Sequence, residues 1–550
     1  MSRRARIEFH TKTPNSQGTS RWGACLERQC LGEATWPEGS CLLHSSASVR
    51  ESYLREGVVR QRRITLQGVE VTEQLWTEVL QQLSAGEKLQ LTATGAVFPF
   101  KIRLENLDFP GCISLIGATL QDGFEVVGCT FSGGLLCSFA DFTNSPAHIQ
   151  NCKISQLDAS YCYSEQYVAF DECEFIGPVR AEGVGGIFRI EASRVRDGLN
   201  LSESAASQIS LARTTVEGSL EARNLEAHIV MASHTKIGDS SIGPVRSRQL
   251  DFSHASFSRR LQIDLGGSRL DLSAASFDAG GHVYVKDAAV RLDRLILGAP
   301  LVIVGGGSAS VESLQSADAG RLTLSSIDLR KCNFYGAHDL ESLRLDPTVL
   351  LPSAPGWWRT HRTCIADEYQ WRAATTRWRK KDWSTNDNPA NVKQNLLVGG
   401  AQPLTAAQIS GVYRALRKGL EAQSNEPGAA DFYYGEMEMR RVDDKTNLSE
   451  RVILFGYWLV SGYGLRALRS LLLLAALLLV GALLMWRWGV APPTLTRGDA
   501  VLGSAESLVP GINVAPRLTN AGRWISLGLR VFGPILIAFA ALALRSRIRR

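Results

Sequence analysis

Between about Leu104 and Phe334 the chain repeats itself every twenty to twenty-three residues, and this period constrains the fold more than any other feature. One column of the repeat holds Phe109, Phe131, Ile154, Phe175, Val195, Val216, Ile237, Phe257, Phe277 and Leu297, and is expected to resume at Phe334. Two residues earlier a second column holds Leu107, Cys129, Cys152, Cys173, Ser193, Thr214, Thr235, Ala255, Ala275, Leu295 and Cys332. The first column is bulky and apolar, the second mostly small. Residues two apart share one face of a strand, and apolar runs at helical spacing are missing here. A fixed period near twenty marks a solenoid. Glycines just behind the bulky column (Gly111, Gly133, Gly177, Gly198, Gly218, Gly280, Gly298) are expected to supply turns. The expected fold is mainly β: a right-handed parallel β-helix over 101–345, of roughly 11–12 coils, spanning ~55 Å at ~4.8 Å per coil.

Charge divides along the chain. Residues 1–100 carry 12 basic and 10 acidic side chains, a net +2; 101–340 carry 21 and 28, a net −7; 341–550 carry 27 and 16, a net +11. A basic tail with long apolar runs points to membrane contact rather than nucleic acid. Of the 11 cysteines, Cys129, Cys152, Cys173 and Cys332 occupy the small column, where a thiol is a compact apolar filler. An odd total fits a disulfide framework poorly, so a reducing compartment is expected. Met1-Ser-Arg-Arg-Ala-Arg opens no apolar run of a secretory signal.

Residues 1–24 are polar. Cys25-x4-Cys30-x10-Cys41-x2-His44 then sets three thiols and an imidazole within twenty residues. These are ligands for a closed, structural tetrahedral Zn²⁺ site in a module, 1–45, too short to bury a core of its own. Free surface thiols are the bland alternative. The module resembles small treble-like zinc modules at the start of bacterial multidomain proteins. Residues 46–63 read as a basic helix ending in Arg60-Gln-Arg-Arg63. Ile64–Val71 reads as a strand, Thr72–Leu83 as a helix with Leu75, Val79, Leu80 and Leu83 on one face, and Leu89–Phe98 as a strand. Together, 46–100 reads as a cap on the solenoid's end.

The steps Ala140-Asp141-Phe142, Cys129-Thr130-Phe131 and Ala255-Ser256-Phe257 resemble a degenerate form of the bacterial pentapeptide-repeat family. That resemblance implies a quadrilateral right-handed β-helix. Some members of that family imitate DNA, but a net −7 over this stretch is thin for the purpose, and no nucleic-acid partner is expected. His148, His228, His234, His254 and His282 read as scattered outward residues without a repeating partner. Gly185-Gly186, Gly266-Gly267 and Gly305-Gly306-Gly307 lack the strand-loop-helix setting of phosphate loops.

The period breaks after Tyr335. Residues 346–383 carry a helix from Arg359 to Trp383, with Trp371, Trp378 and Trp383 among arginines and lysines, suited to a membrane interface or to capping the solenoid. His361, Cys364, Asp367 and Glu368 cluster there, but no further group joins them for nucleophilic chemistry. Residues 384–404 read as a linker. In 405–450 a capping box, Thr405-x2-Gln408, opens a helix with Ile409, Val412, Tyr413, Leu416 and Leu420 on one face, and Pro427 opens a second through Arg441. Tyr413-Arg-Ala-Leu-Arg-Lys418 and Asp431-Phe-Tyr-Tyr-Gly-Glu-Met-Glu-Met-Arg-Arg441 are similar to the segment joining repeat rods to a two-helix membrane domain in bacterial pentapeptide-repeat membrane proteins.

Residues 451–550 read as a transmembrane hairpin. Ala467–Trp486 has one charge, Arg469, and enough length to cross ~30 Å of hydrocarbon. The second span, Val531–Leu544, reaches full length only when extended to Trp524 across Arg530. Four arginines follow it in Arg545–Arg550, and the loop Arg487–Arg523 spreads its four widely, so both termini are expected in the cytoplasm of a bacterial inner-membrane protein. The loop lacks a carbonyl filter of the potassium-channel kind.

These features predict a non-enzymatic, membrane-anchored scaffold presenting a cytoplasmic surface to a protein partner, with the lipid bilayer as its second partner and structural zinc as its cofactor. The first alternative is a homo-oligomeric membrane effector or channel gated by the rod. The second is a membrane-associated oxidoreductase, for which no Rossmann fingerprint, Cys-x-x-Cys or nucleotide loop is present. No catalytic residues are assigned.

Overall fold

The structure, a computed structural model, describes residues 25–27, 30–34, 39–57, 62–83, 88–142, 145–267, 269–354, 362–375, 404–489, 501, 504–505 and 518–548. The polar tail 1–24, His361, Trp378, Trp383, most of the 384–404 linker, most of the loop between the apolar helices and the last two arginines lie outside these residues. The chain forms two compact units, Met1–Leu350 and Leu351–Arg550.

The first unit is a parallel β-solenoid of about 12 turns. Among the described residues 32 strands join in one parallel system, and Val97–Phe98 and Thr119–Leu120 form a separate parallel pair. The bulky column is a single ladder. Phe109 pairs with Phe131, then Ile154, Phe175, Val195, Val216, Ile237, Phe257, Phe277 and Leu297 follow, one per turn. None of these is more than 4% exposed. Rings pack face to face down the stack, Phe109 on Phe131 at 5.2 Å and Phe257 on Phe277 at 4.9 Å. Each such side chain contributes about 1.5–3 kcal/mol by leaving water. A second inward ladder, not read from the sequence, runs Ile64, Leu91, Ile113, Leu135, Leu157, Val179, Leu199, Leu220, Ser240, Leu261, Gly281, Leu301 and Leu322.

The bulky column does not end where the repeat in the sequence suggests. Phe334 does not rejoin it. Asp318 takes the Leu295 carbonyl and pairs with His338, so Ala319 follows Leu297. Asn333 pairs with Ser313 and lends its carbonyl to the Leu314 amide, so Phe334 continues the neighbouring column after Leu314. Alanine at 319 breaks the bulky signature, and a phenylalanine one corner away imitates it.

The small column marks a corner of every coil. The residue just before it adopts a left-handed backbone at Asn106, Asn151, Glu172, Ala192, Arg213, His234, His254, Ala274, Arg294 and Ser316, with φ between 48° and 59°. Such a conformation costs on the order of 1–3 kcal/mol for a non-glycine residue, and interstrand hydrogen bonds on both sides impose it. Hydroxyls in the column bond corner carbonyls: Ser193 to Glu191, Thr214 to Ile190 and Thr235 to Ala232, each at 2.7 Å. All described cysteines are free. His234 and His254 occupy equivalent corners and stack with ring centres 4.5 Å apart, so these two histidines do have a repeating partner. Gly218 lies within a strand, Thr215–Ala222, rather than at a turn. A Cβ there would fall 1.0 Å from the Asp197 carbonyl oxygen, so the glycine permits close approach of two coils.

Helix α1 (Ala47–Ser52) is shorter than the expected basic helix; it runs into a π turn, Tyr53–Gly57, and Arg63 already begins the first strand. Helix α2 (Glu73–Leu83) buries Leu75, Trp76, Val79 and Leu83. The strands flanking it stack in solenoid register, Ile64 on Leu91 and Leu91 on Ile113.

The second unit is helical: α3 (Ala366–Thr375), α4 (Ala406–Ala422), α5 (Glu426–Val442), α6 (Leu448–Ser461), α7 (Ala467–Leu484) and α8 (Asn520–Ile548). The Thr405–Gln408 capping box forms at the start of α4, and Asn425 caps α5 just before Pro427. Tyr413, Ile409, Phe432 and Met439 fill the α4–α5 core, none more than 1% exposed. Two segments, Ala467–Gly489 and Asn520–Ala543, are long and apolar enough to cross a membrane, with mean hydropathy 2.4 and 2.0. They pack closely through small residues: a Cβ on Gly481 would sit 2.9 Å from Leu529, and one on Gly522 would strike the Gly489 backbone.

Candidate metal centre and a buried ionic cluster

The ligand atoms of Cys25, Cys30, Cys41 and His44 all lie within 4.8 Å of one another. Tight turns bring them together. The Cys25 amide donates to the Gly32 carbonyl, and those of His44 and Ser45 to Cys41. Gly32 has no room for a side chain: a Cβ would lie 2.9 Å from Cys41 and 3.0 Å from Val69. Backbone amides point at sulfur, Cys41 N–H to Cys25 Sγ at 3.2 Å and Gly32 N–H to Cys30 Sγ at 3.4 Å.

The spacing can be tested against a metal. Zinc sits ~2.3 Å from sulfur and ~2.0–2.1 Å from nitrogen, which gives tetrahedral edges of about 3.8 Å between sulfurs and about 3.6 Å between sulfur and nitrogen. Cys30 and Cys41 sulfurs are 3.7 Å apart; His44 Nδ1 lies 3.6 Å from Cys25 Sγ and 3.3 Å from Cys41 Sγ. A disulfide would bring two sulfurs to ~2.05 Å. The four side chains therefore form a cluster that could bind a metal ion. Burial raises the Cys25 thiol, but the amides of Cys41 and Glu27 and its contacts with His44 and Cys41 outweigh this and lower it to about 7. Burial, followed by its neighbour Cys30, pushes Cys41 up to about 12. A bound dication would favour the thiolate form of the cysteines.

The cluster is docked on the first turn of the solenoid. Glu33 N–H donates to the Gln67 carbonyl at 2.9 Å, and the Thr65 hydroxyl donates to the Glu33 carboxylate. Cys41 and Leu42 are at most 1% exposed.

Comparison with protein-family models, with curated proteins and with solved structures returns no match.

A second constellation, read only in part from the sequence, lies in the helical unit. Glu368 is fully buried. Arg362 donates to both its oxygens at 2.6 and 2.7 Å, Arg372 to one at 2.7 Å, and the Tyr413 hydroxyl to the other at 2.5 Å. Burial alone would raise this carboxyl, yet Arg362, Arg372 and Tyr413 hold it down to about 2. Several residues of the Asp431–Arg441 string surround it. Asp431 accepts the Thr363 amide at 2.9 Å. Gly435 leaves space for Tyr413 and Arg362, which a Cβ would meet at 2.7 and 2.9 Å. Tyr434 lies under the Arg362 guanidinium at 5.4 Å. Glu438 accepts from Arg441 at 2.8 Å and from the Tyr463 hydroxyl at 2.9 Å. Cys364 is buried beside this cluster; burial and the Glu368 charge push its thiol up to about 12, so it offers little thiolate near neutral pH. Its signals in the sequence are the grouping of Cys364 with Glu368 and the two strings that hold Tyr413 and Asp431–Arg441.

Proposed function

We propose that this chain is a membrane-anchored scaffold: a pentapeptide-repeat-like solenoid that presents a cytoplasmic surface to a protein partner, held at a bacterial inner membrane by its two apolar helices. The observation that carries the reading is the exterior of those helices. Only 17% and 22% of their most apolar windows are buried within the protein. Leu479, Leu483, Phe532 and Leu542 are 63, 51, 59 and 56% exposed, and such a surface calls for lipid. Arginines flanking the first span and following the second support cytoplasmic termini. A protein partner is supported by the solenoid's flank. Phe139 and Tyr161, each 47% exposed, stack at adjacent corners with ring centres 4.9 Å apart. A groove of about 590 Å³ is lined by Glu221, Arg223, Arg260, Gln262, His282 and Tyr284.

In this reading the Cys25/Cys30/Cys41/His44 cluster holds one structural Zn²⁺ that fastens the end of the solenoid. The donor set, with four protein ligands, favours a closed site.

Fractionation tests the anchor: the chain should stay with membranes through alkaline carbonate washing, and recovery in the soluble fraction would end the reading. Affinity capture from solubilised membranes tests the scaffold. Partners retained by the full chain should be lost from a chain without 63–350. A second reading, a homo-oligomeric channel, is favoured by Arg530, which is exposed in the middle of Asn520–Ala543. Ion flux through reconstituted vesicles, abolished by Arg530→Leu, would select it.

A further inference from the structure

Helix α6 carries two apolar faces. The inner one meets the helical hairpin: Leu454 packs with Tyr434 and Tyr463, and the Trp458 indole donates to the Tyr434 hydroxyl at 3.0 Å. The outer one is a stripe of Leu448, Val452, Phe455 and Leu459, spaced i, i+4, i+7 and i+11. These residues are 77, 63, 49 and 49% exposed, and Ile453 beside them is 70% exposed. From Val452 to Val460 the chain carries no charge. With 14 residues the helix spans only ~21 Å, short of the ~30 Å hydrocarbon layer.

The C-terminal end of α6 is tied to both apolar helices. Gly462, with φ of +54°, ends α6 in a left-handed turn. Ser470 at the start of α7 donates to the Val460 carbonyl at 3.0 Å, and Arg469 to that of Trp458 at 3.2 Å. Tyr457 meets Phe539, four residues before the end of the second apolar segment, with ring centres 5.8 Å apart. The C-terminal end of α6 therefore lies beside the same end of both apolar helices, where Leu468 and Leu542 are 66 and 56% exposed. Charges collect along another edge: Arg440 pairs with Glu450 at 2.5 Å, and Arg441 lies over the Trp458 ring at 5.0 Å. Among the described residues none covers the stripe.

We propose that α6 lies in the plane of the membrane surface, with Leu448, Val452, Phe455 and Leu459 sunk among lipid acyl chains just below the head groups. The inference rests on the membrane reading above. An amphipathic helix of this kind seats ~5–10 Å into the boundary between head groups and chains. It adds a third lipid contact to the two-helix anchor and sets the height of the α4–α5 hairpin above the bilayer.

The test places an environment-sensitive maleimide fluorophore on Val452→Cys, Leu459→Cys and, as a span control, Leu479→Cys. Each full-length chain is reconstituted in vesicles of phosphatidylcholine and phosphatidylglycerol, with the unsubstituted chain as the labelling blank. Positions 452 and 459 should be quenched more by a nitroxide near the head group than by one deep in the acyl chain, and position 479 in the reverse order. If 479 is not quenched by lipid nitroxides, the membrane reading itself fails. If 479 is quenched while 452 and 459 respond only to aqueous iodide, this inference alone is overturned. Quenching of 452 at the depth of 479 overturns the in-plane placement. Disulfide cross-linking of unlabelled Val452→Cys chains to one another overturns lipid as the occupant in favour of a second copy.

Discussion

Arg362 and Glu368 form a double hydrogen bond at 2.6 and 2.7 Å with neither residue more than 3% exposed, so a full ion pair is sealed inside the helical unit. Its cost in lost hydration is offset by Arg372, Tyr413 and the Tyr434 ring. Breaking one half strands the other. Glu368→Gln should destabilise the helical unit by about 3–5 kcal/mol, whereas joint replacement with Arg362→Met and Glu368→Leu should cost much less. Denaturant unfolding in detergent, followed by near-ultraviolet circular dichroism, separates the two.

The same pair makes stability depend on acid. Glu368 is held at about 2 in the folded unit, against an ordinary 4.5. Between these values the unfolded chain binds the extra proton, so stability rises with pH there. The contribution is fully present above pH 4.5 and is lost as pH falls through about 2. Titration of the folded protein should show no loss of near-ultraviolet signal from this source at pH 5 and above, and a progressive loss below 4.5. Unfolding of the ionic cluster between pH 5 and 7 would contradict it.

One zinc per chain is expected by elemental analysis, falling to background in Cys41→Ser. Chelation should raise amide exchange in 25–45 and in the first turn, because Glu33 of the cluster's loop is hydrogen-bonded to Thr65 and Gln67 of that turn. The far-ultraviolet β signal should change little, because each later coil rests on its own neighbours.

The bulky ladder can be probed one rung at a time. Phe257→Ala removes a ring stacked on Phe277 and touching Phe252, and should cost about 3–5 kcal/mol. Ile296→Ala, at a position 59% exposed, should change stability by no more than about 0.5 kcal/mol. Equal effects at both sites would refute the inward assignment.

Ser240 stands in the leucine ladder with its side chain 6% exposed and its hydroxyl unpartnered. An unsatisfied buried hydroxyl costs about 1–3 kcal/mol. Ser240→Ala should therefore raise the thermal midpoint of the solenoid, and a lower midpoint would show that the hydroxyl has a partner.

Much of this architecture was legible because chemistry and position coincide. Inward residues must be apolar whatever their neighbours, so Phe131, Val195 and Phe277 announce a common column. The four metal-type ligands are rare residues close in sequence. The corners were not legible, because Glu172, Ala192, Arg213 and His234 share a backbone conformation and no side-chain chemistry; adjacent coils impose it on whatever residue stands there. Phe334 misled because side-chain size alone cannot distinguish one inward column from the next. The ionic cluster stayed partly hidden because its members come from 362, 368, 413 and 438, and only folding makes them neighbours.

The unbroken ladder from Phe109 to Leu297 also bears on how such a chain can change length. A coil is bonded to the one before and the one after, and to little else. Losing or duplicating an entire coil leaves every remaining contact of the same kind, while inserting a single residue within a strand turns that strand's interior outward. Length can therefore evolve in whole steps of ~4.8 Å, a ruler graduated by the chain's own period.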